Sequence, residues 1–364
     1  MRIAEGGCMG LTRSGRAPLA TLALLMCCLA GATGPQSALA QGGAAATGNC
    51  APQGNLHFVC NLISVEDFVP VSGGRWLVGG SYVEKGVGLY LVDTRAKTAK
   101  PVALSPAAKP DPLYAGCSAP DLTALQTHGV DVLQAHGHIT VYAINHGGRE
   151  SVEIFRLHPA AGTAEWVGCA LPPEGVSGNA VAAMGQGAFV MTKFDDTRDK
   201  QGFQHIMSGQ VTGAVYRFTP GKGFDEVPGT QLAGDNGLVV SSDRQWIYVN
   251  AYGTREIYRL PLSGNGARQS VKVDFCPDNL RWAPDGSLFV TGQFIDAKSM
   301  AITALHGWAT VRLDPQTMAI TPVVKEPGLK VFDNATSTVQ VGQTLWFGTF
   351  RGDRMAYMRV PNKQ

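Results

Sequence analysis

Residues 236–250 read NGLVVSSDRQWIYVN, and residues 279–291 repeat the pattern as NLRWAPDGSLFVT. Each copy contains a short apolar strand, a turn rich in Ser, Asp or Gly, and a second strand of β-branched and aromatic residues. The similarity of the two stretches predicts a strand-turn-strand unit that the chain uses repeatedly.

Similar units recur along most of the chain. They begin near Glu66, His128, Asn179, Asn236, Asp278-Asn279 and Ser337. The starts lie 43 to 62 residues apart, which suits four-stranded blades with outer loops of variable length. Because one blade cannot bury both of its faces alone, the six starts predict an all-β fold. We expect a single six-bladed β-propeller over residues 56–364, with a tunnel at its centre.

The composition agrees with a strand-rich globular fold. Hydrophobic residues make up 45% of the 364 residues and charged residues 16%, so the chain can bury a sizeable core. The 45 glycines and 21 prolines favour many tight turns, and only residues 120–126 suggest a short helix. A net charge of +2 provides no basic surface, and we therefore predict no nucleic-acid partner.

Residues 1–40 have the pattern of a cleaved secretory signal. Three arginines precede the apolar run 19–30, and a stretch of small residues ends at Ala38-Leu39-Ala40. The run is too short for a permanent span, so we expect no stable membrane anchor after cleavage. These features predict a periplasmic or secreted protein in which residues 41–55 form a flexible leader.

Five cysteines follow the predicted cleavage site, and in an oxidising compartment they allow at most two disulfides and one free thiol. Cys50 with Cys60 is a plausible local pair, and Cys117 with Cys169 a longer one. The spacing leaves the connectivity open.

Oxygen-bearing side chains stand at equivalent points of different repeats. They are Glu66, Asn179, Asn236, Asp278 and Asn279. One alone would be an ordinary turn residue, but in a propeller the starts of the inner strands converge at one mouth of the tunnel. Two carboxylates and three amides suit calcium, which prefers oxygen ligands, whereas zinc would require His or Cys. The pattern predicts a calcium site in the tunnel.

Two histidines lie in the same pattern. His128 opens its repeat, and His146 follows the next strand in the segment Asn-His-Gly-Gly. Either could be a buried structural residue, or the pair could activate a water molecule as a general base and its orienting partner. Five other histidines, His136, His138, His158, His205 and His306, fall in predicted turns or outer loops, and we expect them at the surface.

The ordered motifs of this chain resemble the serum paraoxonase (arylesterase) family. They are Val65-Glu66-Asp67, Thr127-His128-Gly129, Val141 to His146, Ser151 to Phe155, Gly178-Asn179, Asp235-Asn236-Gly237 and Asp278-Asn279-Leu280. That family is part of a wider group of six-bladed calcium hydrolases that includes the gluconolactonase and senescence-marker proteins. The similarity runs from about residue 60 to residue 350 and includes every blade except the last.

The resemblance implies a catalytic calcium held by the five oxygen-bearing residues, and it implies that His128 and His146 are a catalytic dyad. It also implies hydrolysis of small-molecule lactones and aryl esters. Gluconolactonase-like relatives suggest a different base, a carboxylate among the calcium ligands, either Asp278 or Glu66.

The chain also departs from the paraoxonase pattern. Paraoxonases have an aspartate for a second, structural calcium where this chain has Ala180, although Asp67 and Val130 are retained. No cysteine follows Cys276, so the paraoxonase disulfide between the chain ends cannot form. Where serum paraoxonases have an uncleaved, membrane-associating N-terminus, we expect a cleaved signal in this chain.

Two other classes of protein stay open. One is a propeller similar to strictosidine synthase, although the Asn and Asp pattern argues against it. The other is a non-catalytic propeller, stabilised by calcium, that binds a ligand or a protein at the tunnel mouth. The sequence does not identify the substrate. We expect the loops that cover the site, at about 195–210 and 291–306, to determine specificity, and they contain no motif that indicates a particular ligand.

Overall fold

The computed structural model describes residues 50–82, 87–295 and 305–361, and in this part of the chain almost all regular structure is β-strand. The strand that comes first in the chain is β1 (His57–Cys60). The next four form blade 1, from the tunnel outwards: β2 (Phe68–Val71), β3 (Trp76–Gly80), β4 (Leu89–Asp93) and β5 (Thr98–Pro101).

Blades 2 and 3 continue the same antiparallel order. Blade 2 has a fifth, outermost strand, β6 (Ala103–Pro106), which runs parallel to its neighbour β10 (Thr163–Ala170). Its other strands are β7 (Thr127–Ala135), β8 (His138–Asn145) and β9 (Ser151–His158). Blade 3 contains β11 (Val176–Gly185), β12 (Ala188–Asp196), β13 (Ala214–Thr219) and β14 (Gly223–Glu226).

Blades 4 to 6 complete the ring. Blade 4 contains β15 (Asp235–Val240), β16 (Trp246–Ala251), β17 (Glu256–Pro261) and β18 (Gln269–Lys272). Blade 5 contains β19 (Cys276–Trp282), β20 (Leu288–Gln293), β21 (Trp308–Leu313) and β22 (Ile320–Glu326). Blade 6 contains β23 (Ala335–Val341), β24 (Thr344–Thr349), β25 (Arg354–Arg359) and, outermost, β1.

The blades form a closed ring. Each inner strand contacts the inner strand of the next blade, and β23 of blade 6 contacts β2 of blade 1. The ring is closed by β1, which pairs with β25 from His57 opposite Tyr357 to Cys60 opposite Arg354. This pairing covers the outer edge of β25, which would otherwise be open to another chain. The prediction of a six-bladed all-β propeller is therefore confirmed.

The core lies between the faces of neighbouring blades. Val78 and Leu91 of blade 1 pack with Val141 and Phe155 of blade 2 in one buried cluster. Because each blade is covered on both sides, a middle strand such as β4 is buried along its whole length rather than on alternate residues. Removal of this apolar surface from water contributes about 25 cal/mol per Å² to folding.

The expected helix at residues 120–126 is wrong. Asp121 accepts hydrogen bonds from the backbone N–H and the hydroxyl of Thr123, at 2.9 and 2.6 Å, and this local turn competes with helix formation. The described residues contain one α-helix, α1 (Gly202–Met207), between β12 and β13. A 3-10 turn spans Pro112–Tyr114. None of the described helices has the length and apolar character needed to cross a membrane.

Both plausible cysteine pairs are present as disulfides. Cys50 is bonded to Cys60, at the end of β1, and Cys117 is bonded to Cys169 in blade 2. Cys276, at the start of β19, is a free and buried thiol.

Candidate functional site

Five of the seven candidate residues lie near the start of an inner strand, at a repeated irregularity of the sheet, while Glu66 lies just before β2 and His146 just after β8. In blades 2 to 5 the pairing between the first and second strands skips two consecutive residues. The skipped pairs are His128-Gly129, Asn179-Ala180, Asn236-Gly237 and Asp278-Asn279. A residue that leaves the ladder in this way can direct its side chain differently from its neighbours. The four bulges therefore present the polar side chains to the tunnel mouth.

Glycine follows the functional residue in two of these bulges because the inner strands approach each other closely there. A Cβ atom on Gly237 would lie 2.5 Å from the carbonyl oxygen of Asp278, and one on Gly129 would overlap the carbonyl oxygen of Asn179. A side chain at either position would push apart the backbones that carry the candidate ligands.

The structure brings all of the predicted site residues together at one cavity of about 590 Å³. Six of them line it: Glu66, His128, His146, Asn179, Asn236 and Asp278. The seventh, Asn279, lies behind Glu66 and donates a hydrogen bond from Nδ2 to Oε1 of that residue at 2.6 Å.

Several buried oxygens of this cluster have no hydrogen-bond partner. They are Oε2 of Glu66, Oδ1 of Asn179 and Oδ1 of Asn236. A buried polar atom without a partner costs about 1–3 kcal/mol, so three at one place indicate a missing partner. Among the described residues no group of three His, Cys, Asp or Glu side chains could hold a metal, so any ion here depends on asparagine oxygens. This oxygen-rich donor set fits a hard divalent cation.

Both carboxyl groups of the cluster, on Glu66 and Asp278, have a pKa above the usual value. Burial, followed by the nearby charge of Asp278, raises the pKa of Glu66 well above its usual value. Burial likewise raises the pKa of Asp278, which is only partly offset by the hydrogen bond that Gln293 donates to Oδ2 at 2.8 Å. Two buried carboxyl groups side by side favour either a proton or a bound cation.

The residues deeper in the tunnel do not fit a second calcium. Nε of Arg281 donates to Oδ1 of Asp67 at 3.1 Å, and Nη2 donates both to Oδ2 and to the carbonyl oxygen of Val130, the latter at 2.7 Å. The Asp67 carboxylate also accepts hydrogen bonds from the backbone N–H groups of Phe68 and Val130, both at 3.0 Å. The Arg281 guanidinium is thus hydrogen-bonded to the Asp67 carboxylate and to the Val130 carbonyl, the two groups that this chain retains from the paraoxonase pattern for a second calcium.

The two histidines are in contact with each other. Nδ1 of His128 lies 3.1 Å from Nε2 of His146, and Nε2 of His128 lies 3.5 Å from Oε2 of Glu66. Burial, and then the neighbouring His146, lowers the pKa of His128 well below its usual value, so its ring is neutral at neutral pH. A neutral imidazole beside the orphaned oxygens can accept a proton there.

One contact of this pair was missed by the sequence analysis. Nδ1 of His146 lies 2.8 and 3.0 Å from the two carboxylate oxygens of Glu150. Glu150 follows His146 by four residues in the turn between β8 and β9, and no repeat marks it. Of the other histidines, His205 and His306 are half-buried rather than fully at the surface, and Nδ1 of His205 lies 2.7 Å from Oδ2 of Asp199.

The rest of the cavity wall is largely aromatic. It consists of Tyr82, Phe194, Phe203, Tyr252, Ile295 and Phe350, with Asp195 and Arg351 among the polar lining residues. Phe203 is on α1, inside the predicted roof segment 195–210. The second predicted roof segment, 291–306, contributes Ile295, and its residues 296–304 lie outside the described residues.

Comparison with known proteins gives the same architecture. Residues 89–331 match the family described as the SMP-30/gluconolactonase/LRE-like region. A gluconolactonase from Xanthomonas campestris is 19% identical over 84% of this chain and 89% of its own, with a TM-score of 0.55. A luciferin-regenerating enzyme is 13% identical over 83% and 92%, with a TM-score of 0.56. No curated protein matches the chain. The matches support the wider group of propellers, and the narrower similarity to paraoxonases stays a prediction.

Proposed function

This chain belongs to the SMP-30/gluconolactonase/LRE-like family, and from that premise we propose that it is a calcium-dependent hydrolase of lactones and aryl esters. The observation that supports the proposal most strongly is the group of three partnerless buried oxygens, on Glu66, Asn179 and Asn236, beside a pair of histidines in which burial keeps His128 neutral. The family and the gluconolactonase relative favour a lactone as the substrate class. The signal pattern and the two disulfides support a periplasmic or secreted location.

The proposed calcium ligands are Glu66, Asn179, Asn236, Asp278 and Asn279. Oδ1 of Asn279 remains for the ion, because the amide nitrogen is committed to Glu66. When bound, calcium supplies Lewis-acid polarisation of the substrate carbonyl and stabilises the negative charge that develops on its oxygen.

The histidine pair supplies the base in this proposal. Nε2 of His128 takes a proton from water, and the water oxygen forms a bond to the acyl carbon. The ring C–O bond then breaks, and His128 returns the proton to the leaving alkoxide, so that lactone and water give a hydroxy acid. A positioned base of this kind contributes typically 10²–10⁴-fold to the rate. Asp278 is the second candidate for the base, because its raised pKa and its place at the cavity would also suit proton transfer.

The lining favours substrates with an apolar group over polyhydroxylated ones. Phe194, Phe203 and Tyr252 form a contiguous aromatic wall, with ring centroids of Phe194 and Phe203 5.9 and 6.2 Å from that of Tyr252. An aromatic wall offers an alkyl or aryl group a surface on which to exclude water, but few partners for sugar hydroxyls.

A substrate panel with calcium present tests this proposal. We expect an alkyl-substituted lactone and phenyl acetate to have a kcat/KM at least about tenfold above that of gluconolactone, since one or two buried methylenes discriminate by that much. A folded, calcium-loaded protein that hydrolyses no lactone and no ester would contradict the proposal and favour the non-catalytic propeller that binds a ligand.

A further inference from the structure

Glu150 completes a chain of three polar side chains that ends at the candidate metal site. Its carboxylate contacts Nδ1 of His146, and Nε2 of His146 contacts Nδ1 of His128. The outer end of the chain is reachable from solvent, since the Glu150 side chain is 28% exposed, whereas His128 is buried. Oε2 of Glu150 also accepts a hydrogen bond from the backbone N–H of Gly178 at 3.4 Å, which helps to orient it.

The chemistry of a carboxylate fixes the direction of every hydrogen bond in this chain. A carboxylate only accepts, so Nδ1 of His146 must carry a hydrogen and donate it. When the His146 ring carries this one hydrogen, Nε2 is an acceptor, and Nδ1 of His128 donates to it. In the neutral ring of His128, Nε2 is therefore left with its lone pair.

That lone pair faces the candidate metal site. Nε2 of His128 lies 3.5 Å from Oε2 of Glu66, and no hydrogen bond joins them. The opposite tautomer would carry a hydrogen on Nε2 and could not accept a proton from water. The carboxylate at the outer end of the chain thus determines which nitrogen is basic at the inner end.

We propose that Glu150 is a positioning residue that sets the tautomers of His146 and His128 and so keeps Nε2 of His128 available as the base. When Nε2 accepts a proton from water, the positive charge on the pair is stabilised by the Glu150 carboxylate through His146. This inference rests on the proposed hydrolase function. It adds to that function a residue that touches neither substrate nor metal.

Three variants test the role. Glu150→Ala removes both the acceptor and the charge, and Glu150→Gln keeps an amide oxygen that can accept from Nδ1 of His146 but removes the charge. Glu174→Gln is the matched control, because its side chain is 90% exposed and its ion-pair partner is Arg198, which is not a member of this chain of contacts. For Glu150→Ala we expect kcat to fall roughly 10- to 100-fold, less than the 10²–10⁴-fold that a general base contributes, because the base itself is still present, with KM and calcium affinity unchanged. Glu150→Gln should lose less, and Glu174→Gln nothing.

Added formate separates positioning from a purely structural role. Because Glu150 is partly exposed, formate can enter the space left in Glu150→Ala and accept the hydrogen bond from His146, so kcat should rise with formate concentration. A kcat for Glu150→Ala within threefold of the wild type, or a loss that formate does not reduce, overturns the inference. Failure of the proposed function looks different, because the wild type itself then shows no lactone or ester hydrolysis.

Discussion

At the scale of single residues, the proposed catalysis depends on one atom, Nε2 of His128. The His128 ring packs at a tilt against Tyr82, with the centroids 4.2 Å apart, contacts His146 through Nδ1, and is held neutral by burial. None of the candidate metal ligands lies on β7, the strand that carries His128. The role of His128 can therefore be separated from metal binding by substitution.

His128→Gln should lower lactonase kcat at least about a hundredfold while the calcium affinity stays unchanged, because the base is lost and the oxygen ligands are intact. Steady-state kinetics and a calcium titration by calorimetry measure the two quantities. The competing assignment makes the opposite prediction. If His128→Gln keeps nearly full activity while Asp278→Asn loses it with calcium still bound, Asp278 is the base.

The sequence predicted the members of this site but not their supporting contacts. Glu66, the asparagines, Asp278 and the two histidines could be found because they open successive repeats or end a strand. Glu150 and Arg281 could not, since their partners come from a turn and from other blades. Arg281 reaches Asp67 and Val130 across 214 and 151 residues of chain, and no local pattern encodes such contacts.

At the scale of the elements, the bulge that opens an inner strand is the unit that builds the site. The repeat predicted where each inner strand starts, within a few residues. It did not predict the two-residue gaps in pairing, because a bulge depends on the register with the second strand. The helix α1 could not be predicted for a different reason, because its six residues are too few to give a periodic signal.

Gly237→Ala should weaken both the fold and the metal site. The new methyl group would lie 2.5 Å from the Asp278 carbonyl oxygen and 2.6 Å from Cα of Asn279, so the backbone of two candidate ligands must shift. We expect a loss of about 1–3 kcal/mol in the free energy of unfolding, as for other overpacked sites. Urea denaturation measures this loss, and calcium titration should show a weaker affinity. Gly116→Ala, where a Cβ would meet nothing within 4 Å, is the control. Equal stability of the two variants would contradict the close approach.

At the scale of the whole molecule, two features hold the ring together. The first is the pairing of β1 with β25, which joins the beginning and the end of the propeller where paraoxonases use a disulfide. The six repeat starts predicted the blade count, but β1 carries no repeat and its place in blade 6 could not be read from the sequence. The second is the buried pair of Arg281 and Asp67, which connects blades 5, 1 and 2 inside the tunnel.

Arg281→Met should destabilise the propeller by about 3–5 kcal/mol, because it leaves the Asp67 carboxylate buried without its cation. The matched control is Arg217→Met, whose partner Asp225 is half exposed and whose loss should cost less than about 1 kcal/mol. Urea denaturation of the calcium-loaded proteins compares the two. A similar small loss in both variants would show that the Arg281 pair does not hold the blades together.

The most direct test of the account is the rate of lactone hydrolysis by chelator-stripped protein as calcium is added back. We expect no measurable hydrolysis without the ion and recovery of full activity that saturates as the oxygen cluster fills, with much less recovery in magnesium, which requires a tighter octahedral shell. Asn236→Ala should need more calcium for half-maximal recovery, since it removes one of the partnerless oxygens. Full hydrolysis by the stripped protein, unchanged when calcium is added, would contradict the proposal that hydrolysis requires calcium.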